Sequence, residues 1–151
     1  MRIGFGYDSH RFEAGRRLVL GGVEIDHPRG LAGHSDADVL THALCDALLG
    51  GAGLGDLGAH FPDDDERWRD ADSLDLLRTV VGMLPGPTVN ADATVICEQP
   101  KLEPHRQEME RNLSSATGAP VSVKATTNEG MGLIGRGEGV ACLVVALLEV
   151  D

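Results

Sequence analysis

Asp8 and His10 close a strand-like run, Arg2-Ile3-Gly4-Phe5-Gly6-Tyr7, and His42 follows much later in the chain. Side chains two apart on a strand point to one face, so a carboxylate and an imidazole stand side by side. His42 comes after a helix-start signal at Ser35-Asp36 and brings a third donor. Two imidazoles and one carboxylate, with no fourth partner in the pattern, form the ligand set of a catalytic zinc that keeps one position open. A structural zinc would instead close its tetrahedron with protein. Cys45 lies three residues after His42, but a Cys among Ala and Leu reads as core.

The elements that must position these residues alternate between strand and helix. The first strand is expected to run through about Arg11. A hairpin follows, Leu18-Val19-Leu20 and Val23-Glu24-Ile25 around Gly21-Gly22, a two-glycine turn signal. Residues 26–35 read as a loop and residues 36–49 as a helix ending at Gly50-Gly51. The Gly- and Asp-rich residues 53–70 are long for a loop in a compact domain, which points to function. Leu74, Leu77, Val80 and Val81 give helical spacing over residues 73–83, which stops before Pro85. Residues 89–98 alternate as a strand, 103–116 form a polar helix, and 121–126 and 139–149 are strands.

In the helix that carries His42, Asp38, His42 and Asp46 are spaced by four, each turned only about 40° from the last. A metal-binding His usually donates its other ring N–H to a carboxylate, so Asp38 or Asp46 is expected to hold His42. A plain solvated face is the competing reading.

The chain has 151 residues and a net charge of −11, from 13 Lys and Arg against 24 Asp and Glu. A single domain over residues 1–151 is expected. The acidic balance excludes nucleic acid, for want of a basic patch to neutralise phosphates. Any phosphorylated substrate would have to be held by metal ions, helix N-termini and backbone N–H groups. Three separated cysteines without a CxxC pair read as buried thiols of a reducing compartment. No basic-then-apolar leader and no membrane-length apolar run are visible, so a cytoplasmic location without a membrane partner is expected.

Gly33-His34-Ser35-Asp36-Ala37-Asp38-Val39, with His42-Ala43 and Asp46-Ala47-Leu48-Leu49-Gly50, resembles the signature of the 2-C-methyl-D-erythritol 2,4-cyclodiphosphate synthase family. So do Gly4-Phe5-Gly6-Tyr7-Asp8-Ser9-His10, Leu54-Gly55-Asp56-Leu57-Gly58 with Phe61-Pro62-Asp63, Val123-Lys124-Ala125-Thr126-Thr127-Asn128-Glu129, and Gly135-Arg136-Gly137-Glu138-Gly139-Val140-Ala141. The likeness covers essentially the whole chain in family order. It implies an α+β domain with a mixed four-stranded sheet, helices packed on one face, a short extra β-hairpin, and a chorismate-mutase-like, ferredoxin-related topology, assembled as a homotrimer. It implies a phosphorus–oxygen lyase of non-mevalonate isoprenoid synthesis. In that reaction the 2-phosphate of 4-diphosphocytidyl-2-C-methyl-D-erythritol 2-phosphate attacks the β-phosphorus, which closes the cyclic diphosphate and expels CMP.

The resemblance also assigns roles. Asp8, His10 and His42 look like the zinc ligands, with a substrate phosphate oxygen as the fourth. Glu129 matches the carboxylate for a second divalent ion, Mg²⁺ or Mn²⁺. His34 and Thr127 match residues that stabilise the transition state, and Ser35 holds the 2-phosphate end. Asp56, Leu57, Gly58, Phe61, Pro62, Asp63, Asp64 and Asp65 match the methylerythritol wall. Gln99, Pro100, Lys101, Leu102, Ala125, Thr126, Thr127 and Asn128 match the cytidine diphosphate pocket, which the neighbouring subunit supplies in the family. Leu133 and Arg136, with Glu138, match the trimer's central channel, where family members can bind an isoprenoid diphosphate. Leu133 stands where a Phe is often found, which counts against a channel ligand here. Ser9 replaces the commoner Val and is expected to point away from the metal. Two other classes remain open: a zinc-dependent phosphoester hydrolase, and a non-catalytic trimer stabilised by metal.

Overall fold

Glycines at positions 4 and 6 decide how the molecule is assembled. In the computed structural model, which describes residues 1–150, β1 (Arg2–Ala14) turns Gly4, Gly6, Asp8 and His10 toward one face. Ile3, Phe5 and Tyr7 point to the other. Helix α1 (Val39–Ala52) lies on the glycine face so closely that a Cβ on Gly4 or Gly6 would overlap the carbonyl oxygens of Ala47 and Ala43. Gly51 approaches Gly4 from the helix side. For this reason Gly50-Gly51 lie inside α1 rather than ending it, and the left-handed cap comes at Gly53. Three residues at the other end, Asp36 to Asp38, precede the helix: Asp38 is its N-cap and accepts the Thr41 N–H.

β2 (Leu18–Leu20) and β3 (Val23–Ile25) form the expected hairpin. Both turn glycines have positive φ, the requirement of a type I′ turn. The main sheet has the order β4-β1-β7-β5-β6, using β4 (Arg29–Leu31), β5 (Thr88–Ile96), β6 (Val121–Thr126) and β7 (Gly139–Leu148). β5 and β6 are parallel and the other pairs antiparallel. The sheet is thus mixed and five-stranded, not four-stranded. The extra strand is β4, inside the stretch that reads as loop, because three residues with a central glycine are too short to show an alternation. Its pairing with Phe12, Glu13 and Ala14 carries β1 beyond Arg11.

α1, α3 (Ser73–Met83) and α4 (Arg106–Thr117) share one side of this sheet. Leu40, Leu44 and Leu48 of α1, Leu77 and Val80 of α3, and Met109 and Leu113 of α4 are fully buried among the inward residues of β5 and β7. A 3₁₀ turn, Glu103–His105, leads into α4. Residues 53–70 are not structureless: they hold α2 (Leu57–His60) and a 3₁₀ turn, Glu66–Trp68. A one-turn helix, α5 (Gly132–Gly135), precedes β7. Among the described residues, no helix is long and apolar enough to cross a membrane.

Because the Gly6 contact is backbone against backbone, no rotamer change can relieve an added methyl group. Gly6→Ala is expected to lower stability by about 3 kcal/mol or more, the upper range of overpacking. Urea unfolding of that variant with an unchanged midpoint would show that the strand and helix can separate freely.

Candidate active site

The glycine contact sets Asp8 and His10, the next inward residues of β1, against the first turn of α1, where His42 sits. One ligand atom from each lies within 4.8 Å of the others. His10 Nε2 is 2.8 Å and His42 Nδ1 3.3 Å from the same carboxylate oxygen, Asp8 Oδ2. His10 Nδ1 donates to the Ala32 carbonyl at 2.6 Å, so in a neutral ring Nε2 carries the lone pair. His42 Nε2 is held by Ser73 Oγ at 2.8 Å and Ser35 Oγ at 3.1 Å. Ligand bonds of about 2.0–2.1 Å in a tetrahedron place donor atoms roughly 3.3 Å apart. The His42–Asp8 spacing has that value, and His10 needs to open by only about half an ångström once an ion replaces the shared proton. The three residues fit a divalent metal.

Burial works against the charge of Asp8, yet the hydrogen bond from His10 and the closeness of both imidazoles hold its carboxyl down at about 2. Burial likewise opposes a charged His10, but its hydrogen bond to Asp8 outweighs that and raises it. Asp46 is pushed up by burial and by the charges of Asp8 and Asp56.

Neither Asp38 nor Asp46 holds His42. The N-cap position turns the fully buried Asp38 away to bind the Gly21 and Gly22 N–H groups at 2.9 and 2.8 Å and the Thr41 hydroxyl at 2.7 Å. Burial and the nearby Asp36 raise its pKa despite these donors. Asp46 accepts the Leu57 N–H at 2.7 Å, which ties α1 to the segment after it.

The triad opens into a cleft of about 480 Å³. His34, Ser35, Leu57, Gly58, Phe61, Pro62, Asp63 and Asp64 line it, as does Asp46. Asp56 and Asp65 do not; both serve as N-caps, and Asp65 also pairs with Arg67. His34 Nε2 donates to the Asp65 carbonyl at 2.9 Å, fastening the cleft floor to residues 61–70. Trp68 and Leu76 complete an apolar wall with Phe61, whose ring meets Trp68 edge-on at 4.8 Å.

A second cleft, about 140 Å³, contains Pro100, Lys101, Leu102, Ala125, Thr126 and Thr127. Cys97 lines it too, its thiol pushed up to about 11 by burial and then by Glu98. Gln99 accepts the Cys97 thiol through its carbonyl. No residue lines both clefts. Thr127 Oγ1 accepts the Glu129 N–H at 3.2 Å, Asn128 bonds the Met131 carbonyl, and Glu129 is exposed. Leu133 is also exposed, and Arg136 pairs with Glu138 at 2.8 Å. Within one chain, Thr127 and Glu129 therefore do not join the Asp8 triad.

Two residues of the first cleft's frame carry no signal in the sequence. Ser73 opens a helix directly behind its capping Asp72, and nothing in the local pattern points to a partner elsewhere in the chain. Arg16 lies in a turn, yet its guanidinium donates to the carbonyls of Gly33 and Ser35 at 2.9 and 2.8 Å, clamping both sides of His34.

A model of the YgbB family matches residues 1–149. A 2-C-methyl-D-erythritol 2,4-cyclodiphosphate synthase of Salinibacter ruber is 59% identical over 158 residues, covering 99% of each chain. The enzyme of the same name from Syntrophomonas wolfei is 53% identical, again over 99% of each. A solved 2C-methyl-D-erythritol-2,4-cyclodiphosphate synthase in its CDP-bound form superposes with a TM-score of 0.89 at 39% identity, over 98% of this chain and 100% of that one.

The Asp8–His10 pair makes metal-free stability depend on pH in a defined window. Asp8, lowered from 3.8 to about 2, contributes stability that is full above about pH 4 and fades toward pH 2. His10, raised from 6.5, contributes below pH 6.5 and loses its part as pH rises past its folded value. After chelation, Asp8→Asn is expected to cost about 2 kcal/mol at pH 5 and to flatten the acid limb between pH 4 and 2. Urea titrations across that range check this; identical acid limbs would contradict it.

Proposed function

The chain belongs to the YgbB family, and on that premise we propose that it catalyses the cyclodiphosphate synthase step of non-mevalonate isoprenoid synthesis. It converts 4-diphosphocytidyl-2-C-methyl-D-erythritol 2-phosphate to 2-C-methyl-D-erythritol 2,4-cyclodiphosphate and CMP, a phosphorus–oxygen lyase reaction. The observation that carries the reading is a metal-ready triad opening into a cleft whose other wall is apolar.

A 2-phosphate oxygen forms the new bond to the β-phosphorus while the bond to CMP breaks, and CMP leaves with the electron pair. Such a transfer needs positioning and charge stabilisation rather than a side-chain nucleophile. Asp8, His10 and His42 would hold zinc, and Glu129 a second ion, Mg²⁺ or Mn²⁺; bound there, the ions supply Lewis-acid polarisation of phosphoryl oxygens. Ser35 and His34 flank the triad at the phosphate end of the cleft. Asp63 and Asp64 accept from the hydroxyls of the polyol. Leu57, Phe61, Trp68 and Leu76 receive its methyl side and keep water from the phosphorus, favouring ring closure over hydrolysis.

The second cleft takes the cytidine, with Lys101, Thr126 and Thr127 facing the diphosphate. It shares no residue with the first, which is compatible with the two being completed by different subunits, and we read the assembly as a homotrimer because that is what the family resemblance implies. Support comes from the outer face of the sheet, where Ile3, Phe5 and Tyr7 are 73%, 60% and 55% exposed and Phe5 pairs with Val145, itself 48% exposed. An apolar stripe of this kind marks an association surface.

Phosphorus NMR of the cytidyl substrate with zinc and magnesium present is expected to show cyclic diphosphate and CMP. Release of linear phosphate would establish a hydrolase instead. The protein should carry about one zinc per chain, which His42→Ala loses; full retention would overturn the ligand set. Light scattering should give three times the 15.9 kDa chain mass. Phe5→Asp should dissociate the trimer and abolish turnover while zinc stays bound, and a fully active monomer would refute the shared site.

A further inference from the structure

We propose that Asp36 and Ser73 form a hydrogen-bond relay that fixes the tautomer of His42, making both positioning residues for its metal-facing nitrogen. The proposal deepens the metal reading above and rests on it only where affinity is concerned.

Ser73 is fully buried at the start of α3, between Asp36 and His42. Its hydroxyl bonds Asp36 Oδ1, and its own N–H bonds Asp36 Oδ2 at 2.9 Å. Asp36 Oδ1 also takes the Asp38 N–H at 3.1 Å. An ionised carboxylate only accepts, so the one hydroxyl proton of Ser73 goes to Asp36. Toward His42 the serine oxygen then offers lone pairs alone, and at 2.8 Å His42 Nε2 must be the donor. A neutral imidazole with its hydrogen on Nε2 has its lone pair on Nδ1. Nδ1 is the nitrogen that faces Asp8 at 3.3 Å.

His10 reaches the opposite tautomer by a shorter route, through the Ala32 carbonyl. The two ligands thus present different nitrogens to one point, each fixed by an acceptor behind it. With Nε2–H donated to Ser73 and shared with Ser35 Oγ, Ser35 receives hydrogens from His42 and from the Ala37 N–H. Its own hydroxyl proton is left to donate into the cleft, toward a phosphate oxygen. The relay also joins the metal centre to the cleft wall. Ser73 ends the segment that carries Phe61 and Trp68, and the Asp36 N–H bonds the Ala71 carbonyl at 3.2 Å.

The test is nitrogen-15 NMR of the His42 ring in the full-length protein at pH 8, before and after chelation. Nε2 should carry the hydrogen in both forms, and the chelated Ser73→Ala and Asp36→Asn variants should show a shifted tautomer signature. Zinc dissociation constants from chelator competition should rise 10–100-fold in both. A merely structural role for the pair would lower stability without moving the ring signature. Asp36→Asn acts without touching His42, and the unmodified protein decides the point even where Ser73→Ala does not fold. An unprotonated Nε2 in the unmodified protein, or variants with unchanged ring signature and zinc affinity, would overturn the relay. The expected ring signatures in a protein that binds no zinc would uphold it while refuting the metal reading.

Discussion

The contact of β1 with α1 through Gly4 and Gly6 is the constraint on which the remaining structure depends. With no Cβ in the way, the Ala43 and Ala47 carbonyls of the helix sit directly on the strand backbone, which fixes both the spacing and the register of the two elements. Register matters because side chains alternate along a strand: a slip of one residue would exchange the faces. Asp8 and His10 would then turn out with the solvent-side set, and Phe5 and Tyr7 would be driven into the helix. The same contact that builds the ligand triad therefore also leaves Ile3, Phe5 and Tyr7 outside. One packing decision thus creates the cluster of three potential ligands on one face of the sheet and an exposed apolar stripe on the other.

The acidic character of the chain has a structural use that its net charge conceals. Asp38, Asp56, Asp65 and Asp72 are the N-caps of α1, α2, the 3₁₀ turn and α3. Each side chain accepts an otherwise unpaired backbone N–H, and each favours the positive end of its helix. Their charge is thereby neutralised locally rather than projected into the cleft. Asp8, Asp46, Asp63 and Asp64 are the carboxylates that do face it. With those carboxylates facing it and no Lys or Arg among its lining residues, the cleft would admit an anionic substrate only with bound cations.

The grouping of Asp8, His10 and His42 was legible in the sequence because it depends on two local signals, a two-residue spacing on a strand and a helix start. The four-residue spacing of Asp38, His42 and Asp46 misleads for a related reason. Helical spacing implies a shared face only within the helix, and Asp38 lies one position outside it, where its backbone has left the helical conformation. Ser73 and Arg16 are illegible because their roles come from contacts 31 and 19 residues away along the chain, and no local pattern encodes such partners. β4 escapes notice through sheer shortness. That Thr127 and Glu129 stand apart from the triad within one chain is visible only in three dimensions, since local spacing carries no distance between segments far apart in sequence.

The turn before α1 shows what holding the site together costs. Ala37 is fully buried with φ of 56°, a left-handed conformation worth roughly 1–2 kcal/mol of strain for a residue with a Cβ. Such a conformation persists only where its surroundings over-determine it. Here the Ala37 N–H is held by Ser35 Oγ, the Asp38 N–H by Asp36 Oδ1, and the Asp36 N–H by the Ala71 carbonyl. Reversing the chain at Ala37 lets the side chains of Ser35 and Asp36, adjacent in sequence, both serve the far nitrogen of His42, one directly and one through Ser73. The strain at Ala37 is thus the local counterpart of the glycine contact: the glycines bring His42 to Asp8, and the turn aims its ring.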